Sequence, residues 1–180
     1  CCLNRADLCE NDYLFRKVLT YRTSDKSPQV KLGMIEKKLI GYSFVPVQLA
    51  VEAGRLRFVA KALGLTDSVY SDVHKARSEG YSDLLAPPTF PFMLESDALD
   101  LEGLCDFFGQ NVKHLLHAEQ KFTYHQPICA GDQITFVKTI QEILHKKNGQ
   151  LEFVVSDNTL TNQNDVLCVE SQTTYVFRNA

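Results

Sequence analysis

The chain has 180 residues, 44% apolar and 23% charged, with a formal net charge of -3, the profile of one globular domain able to bury a sizeable core. Its densest basic clusters, Lys146-Lys147 and Arg55/Arg57/Lys61, are too sparse for a nucleic-acid footprint. They read as solvated faces rather than as a grip on a cofactor phosphate. No apolar run approaches the roughly 20 residues of a membrane helix, and charges interrupt the first 33 residues where a signal peptide would segregate them, so a cytoplasmic protein without a membrane span is expected.

Residues 1–33 read as an extension outside the main fold, ending in the polar "RTSDKSPQ" linker, and Met34 looks like a natural start. A helix over Asn11–Tyr21 packed on the surface is the alternative. Residues 34–180 then form a single domain. "VPVQLAVEA" alternates Val47, Leu49 and Val51 on one face, a short strand. "EAGRLRFVAKALG" puts Leu56, Val59, Ala60 and Leu63 at helical spacing, with Gly64 as the stop. A second short helix is predicted from near Ser71 to Gly80, followed by "PPTFPFMLES", an apolar segment after two prolines. Asp100 caps a further helix with Leu101, Leu104, Cys105 and Phe108 on one stripe and Gly109 as its stop.

After Lys113 the residues become rich in Val, Ile, Thr, Phe and Tyr. "HLLHAEQKFTYHQP", "DQITFVKTIQEIL", "LEFVVSDNTL" and "VLCVESQTTYVF" are separated by Gly-, Asn- and Asp-containing turns. Four consecutive strands with short connections predict an antiparallel meander, and with the preceding helices an α+β fold. The six cysteines show neither CxxC nor Cys/His metal spacing and read as buried free thiols of a reducing compartment. His114 and His117 lack a partner at zinc spacing, so no metal is expected.

The segments "RLRFVAKALG", "ARSEGYSDLLAPPTF" and "EQKFTYHQPICAGD", in that order, resemble the hot-dog-fold MaoC-like dehydratases. The resemblance is closer to the fatty-acid-synthase-like dehydratase N-terminal domain, including the substrate-binding subunit of two-subunit hydroxyacyl-thioester dehydratases, and it covers about residues 34–178. It implies an antiparallel sheet wrapped around a central helix, a second hot dog completing the site, and an acyl-CoA or acyl-carrier-protein thioester as ligand. No cofactor is implied.

Active relatives carry G-D-x-N-P-[IL]-H, a later Asp, and A-H-G, whose Gly N–H holds the enolate oxygen while the Asp and His manage one water. On that pattern "GLTDSVYSD" keeps Gly64 but has Leu65 at the catalytic Asp position, Asp67 for Asn, Ser68 for Pro and Tyr70 at the catalytic His position, with Asp72 matching the later Asp. "APP" puts Pro88, which has no N–H, where the oxyanion donor belongs. Three active-site functions are therefore missing. The implied role is an acyl-thioester-binding subunit, a homodimer or the partner of a MaoC-like subunit that supplies the Asp/His pair for (R)-specific hydration or dehydration.

Other residues compete for chemistry. Asp67, Tyr70, Asp72 and His74 are candidates for an autonomous hydratase, dehydratase or thioesterase, against the plainer reading of Asp67 as a cap and His74 as solvated. His125 is a further catalytic candidate or a ligand contact, against the plainer reading of a hydrogen bond to its turn. Leu65, Tyr70, Pro88, Thr89, Phe90 and Phe92 are candidate substrate-binding positions, the two phenylalanines equally suited to the core. A binding module without catalysis is the third alternative.

Overall fold

The computed structural model describes residues 33–179; the linker and the Asn11–Tyr21 helix predicted for the extension lie outside them. Five strands make one antiparallel sheet: β1 (Val47–Ala50), β2 (Leu115–Tyr124), β3 (Gln133–Lys146), β4 (Leu151–Thr161) and β5 (Leu167–Arg178). Their order across the sheet is β1-β3-β4-β5-β2. Among the described residues four α-helices precede β2: α1 (Ala53–Ala62), α2 (Val73–Ser78), α3 (Phe90–Ala98) and α4 (Leu101–Phe107).

The inner face of the sheet follows the two-residue period of a strand. Ile134, Phe136, Lys138 and Ile140 of β3 are buried, as are Val154, Ser156, Asn158 and Leu160 of β4. A register shift between Ile140 and Glu142 lets Ile140 and Ile143 both face inward, and further shifts interrupt β2 and the end of β4. Such bulges increase local twist and help a sheet curl around a helix.

The helix it curls around is α3, which packs on β1 and β3. Phe90, Pro91, Leu94 and Glu95 are its buried residues. The prolines obscure this helix in the sequence. Yet Pro91 lies in the first turn, where a missing N–H breaks no helical bond. The "PPTFPFMLES" segment is thus the central element of the fold.

The meander prediction needs correction: β3, β4 and β5 are sequential neighbours, but β2 pairs with β5 and β1 takes the place beside β3. The link between β2 and β3 does not turn as a hairpin because its backbone is engaged elsewhere. Ala86 N–H donates to the Ile128 carbonyl and Ala130 N–H to the Leu84 carbonyl. On α1, Leu56, Val59 and Ala60 are buried as the spacing predicts, whereas Leu63 is exposed just beyond the last turn. Leu101, at the first position of α4, is likewise exposed, and Leu104, Cys105 and Phe108 are buried. Asp100 caps that helix through the N–H groups of Glu102 and Gly103.

Candidate functional site

The segment after α1 owes its shape to caps. Gly64 leaves the helix at φ +69°, a conformation that costs a residue with a side chain. The Asp67 carboxylate accepts from Val69 N–H at 3.1 Å and so starts a single 3-10 turn, Ser68–Tyr70, anchored by buried Val69. Asp72 then accepts from His74 N–H at 2.8 Å and from Lys75 N–H at 3.4 Å, capping α2. Both carboxylates of the loop hold backbone donors. His74 is exposed on α2, and Leu65 is half-buried.

A second segment, residues 84–91, runs alongside. Leu85 N–H donates to the Val69 carbonyl and Leu85 bridges Cys129, which ties the loop, the proline segment and the β2–β3 link together. Pro88 is exposed, and its carbonyl accepts a hydrogen bond from the Tyr124 hydroxyl at the end of β2. Thr89 is exposed at the cap position of α3. Phe90 is fully buried in the core, and Phe92 stacks on the His117 ring at 5.0 Å between centroids.

Between these segments lies a pocket of about 290 Å³. Buried Ile128 and Val169, with Leu85, make its apolar floor, and Pro87, Pro88 and Pro91 form one wall. Tyr70, Tyr124, His125 and Gln126 supply its polar side chains. Burial, and secondarily the Asp67 charge, pushes the Tyr70 phenol above its ordinary range, so at neutral pH it is a proton donor and not a base. Burial raises the Tyr124 phenol too. His125 is fixed twice: its N–H donates to the Cys168 carbonyl at 2.8 Å, and its ring Nε2 lies 2.8 Å from Oε2 of Glu170. Among the described residues, those lining the pocket include no carboxylate.

Of the candidate positions, the pocket unites Tyr70, Pro88 and His125. Leu65, Asp67, Asp72, His74, Thr89, Phe90 and Phe92 are not in its lining. Glu170 and Tyr124 escape a reading of the sequence: strand pairing brings Glu170 from a distant position to the His125 ring, and Tyr124 into the pocket lining. So does a buried polar cluster beneath α3. Lys138 Nζ donates to Glu95 Oε1 at 2.7 Å and to the Asn158 side chain at 3.1 Å, and the Thr173 hydroxyl lies within 3.0 Å of both Glu95 oxygens. Burial lowers the Lys138 ammonium against the opposing pull of Glu95. One signal for it exists in the sequence: a lysine at an inward position of the Ile134-Phe136-Ile140 alternation. Among the described residues no group of three His, Cys, Asp or Glu side chains is arranged to hold a metal ion.

This architecture, a five-stranded antiparallel sheet around a helix, is the hot-dog fold. Residues 38–171 match the family described as FAS1-like, dehydratase domain region, and the chain belongs to that family. A UPF0336 protein of Streptomyces avermitilis is 34% identical over 111 residues, which span 61% of this chain and 73% of the relative. A UPF0336 protein of Parafrankia is 29% identical over 147 residues, 80% of this chain and 95% of that one.

Among solved structures, the C-terminally truncated HadBC (3R)-hydroxyacyl-ACP dehydratase complex from Mycobacterium tuberculosis superposes with a TM-score of 0.65 at 25% identity, covering 77% of this chain and 96% of the other. The MaoC-like dehydratase from Rhodospirillum rubrum shares the fold with a TM-score of 0.63 at 17% identity, over 82% and 99% of the two chains. The ChsH1-ChsH2 complex from Mycobacterium tuberculosis does so with a TM-score of 0.60 at 15% identity, over 77% and 98%. HadBC and ChsH1-ChsH2 are complexes of two different chains. No helix among the described residues is long and apolar enough to cross a membrane.

Proposed function

We propose that this chain is the acyl-thioester-binding subunit of an (R)-specific enoyl hydratase or 3-hydroxyacyl dehydratase, with its Asp/His pair supplied by a second hot-dog subunit. The observation that carries this reading is the pocket itself. It keeps an apolar floor suited to an acyl chain, while Tyr70 and Pro88 stand in its walls and no carboxylate does. A phenol held protonated cannot take the proton that hydration chemistry requires a base to take, and a proline cannot donate to an enolate oxygen. The missing groups together stand for several powers of ten in rate, since a general base contributes about 10²–10⁴ and one oxyanion donor about 10²–10³.

The free edge of the sheet supports a pairing partner. Among the described residues β2 pairs with β5 alone, is exposed along most of its length, and ends at Tyr124 in the pocket rim. An edge strand of this length is a template for another chain, and Tyr124 at its end brings a subunit seated there to the pocket rim. The thioester carrier is CoA or an acyl carrier protein.

The test is hydration of crotonyl-CoA and of a longer enoyl-CoA, followed by loss of the conjugated-enoyl absorbance. The purified chain alone is expected to be silent, and to gain activity when mixed with a MaoC-like subunit carrying the Asp/His motif. Robust turnover by the chain alone would overturn the reading. It would favour an autonomous enzyme, for which the meeting of Tyr70 and His125 in one pocket is the one supporting observation.

A further inference from the structure

The exposed polar side chains of the pocket come from one stretch of chain, while Tyr70 is half-buried. Ile128 and Val169 at the pocket floor are buried, whereas Tyr124, His125 and Gln126 are exposed at its rim. A ligand that places an apolar tail on the floor therefore brings its next polar groups past the rim, where His125 is the one ionisable imidazole among the described lining residues.

The chemistry available to that imidazole is narrow. Its Nε2 lies 2.8 Å from the Glu170 carboxylate, which can only accept, so the bond places a proton on Nε2. In the neutral ring this leaves Nδ1 as a bare acceptor, with no protein partner among the described residues. The backbone around it is fixed as well, because the N–H groups of His125 and Gln126 both donate to the Cys168 carbonyl, at 2.8 and 3.1 Å. The rim thus presents an oriented acceptor open to a donor from a ligand. An enoyl or saturated acyl thioester offers none at its reacting end, since its carbonyl oxygen and its sulfur only accept. The first donor on the arm, whichever acyl group it carries, is the pantetheine amide N–H two methylenes beyond the sulfur.

We propose that His125, oriented by Glu170, is the residue of this chain that recognises the carrier arm, its Nδ1 accepting that amide N–H while the acyl tail occupies the floor. This rests on the acyl-thioester reading and adds the group that distinguishes a thioester from a bare fatty acid. Glu170 acts through His125 and is a positioning residue.

The experiment is calorimetric titration of the full chain at pH 8, alone and paired with a motif-bearing subunit, with octanoylpantetheine and with octanoate. His125→Ala is expected to weaken octanoylpantetheine about three- to tenfold, the loss of one hydrogen bond, and to leave octanoate unchanged. Glu170→Gln, which keeps the size but releases the tautomer, is expected to give a smaller loss of the same selectivity. Octanoyl-CoA and octanoylated carrier protein, sharing the arm, are expected to show the same His125 dependence, and whichever binds the wild type more tightly identifies the carrier.

Equal binding of octanoylpantetheine by wild type and His125→Ala would overturn the inference while leaving the acyl-thioester reading intact. So would an equal loss for octanoate, which would mark His125 as structural. A loss of turnover in the mixed complex with unchanged affinity would overturn it in favour of a catalytic His125. If the wild type bound neither thioester nor octanoate in either state, the acyl-thioester reading would fall and this inference with it.

Discussion

Lys138 and Glu95 meet under the central helix with side chains 1% and 3% exposed. A buried ion pair is weak evidence of net stability, but breaking one is costly because the surviving charge is left without compensation. Lys138→Met is therefore expected to cost about 3–5 kcal/mol in urea unfolding, and Glu95→Leu/Lys138→Met to recover most of that loss. If the single and double variants were equally damaged, packing rather than charge would explain the site. Phe90 belongs to the same layer: fully buried, it is expected to cost about 3–5 kcal/mol on replacement by Ala. Cys105 carries a pH signature. Burial raises its thiol from 9.0 to about 11, so between those values the folded chain holds a proton that the unfolded chain has released. Stability then falls as pH rises through that window. The prediction is that Cys105→Ala flattens the alkaline decline in thermal midpoint measured from pH 9 to pH 11.

At the scale of elements, the loop after α1 is a pair of caps joined by one turn, and Asp72 has a structural task there. Asp72→Ala is expected to lower stability by about 1 kcal/mol, the usual worth of an N-cap, and to leave turnover by the mixed complex unchanged. Abolished turnover at unchanged stability would instead place Asp72 in the chemistry. The stops of α1, α2 and α4 and the cap of α4 were legible because each is written within a few residues: Gly64, Gly80, Asp100 and Gly109. The central helix was not, because Pro87, Pro88 and Pro91 crowd the entrance of a helix only nine residues long. Nor was the strand order, since the β2–β3 link looks like a turn until its pairing with residues 84–86 is seen.

Across the whole molecule the core has two parts. One gathers Leu56, Phe90, Leu94 and Phe136 beneath the pocket, the other Ile35, Leu104, Phe108 and Phe177 at the far end. Phe44 packs against both, and β3, β4 and β5 run through both. Unfolding is accordingly expected to be one cooperative transition with calorimetric and van't Hoff enthalpies in agreement. Two resolved transitions would mean the parts unfold separately.

The residues alone carried the α+β pattern of strands and helices, and the resemblance of three segments to the MaoC-like dehydratases carried the hot-dog fold, which places Leu65 and Tyr70 where that family's pattern has its Asp and His. Strand alternation, caps and motif spacing are local patterns that a linear reading can follow. Only the tertiary structure decided that Tyr70, Pro88 and His125 share one pocket, that Glu170 holds His125, and that Lys138 finds Glu95. Those meetings join residues far apart in the chain, some more than forty positions, through register and strand order. Their partners are chosen by the packing of a sheet around a helix, for which no short stretch of sequence carries the signal.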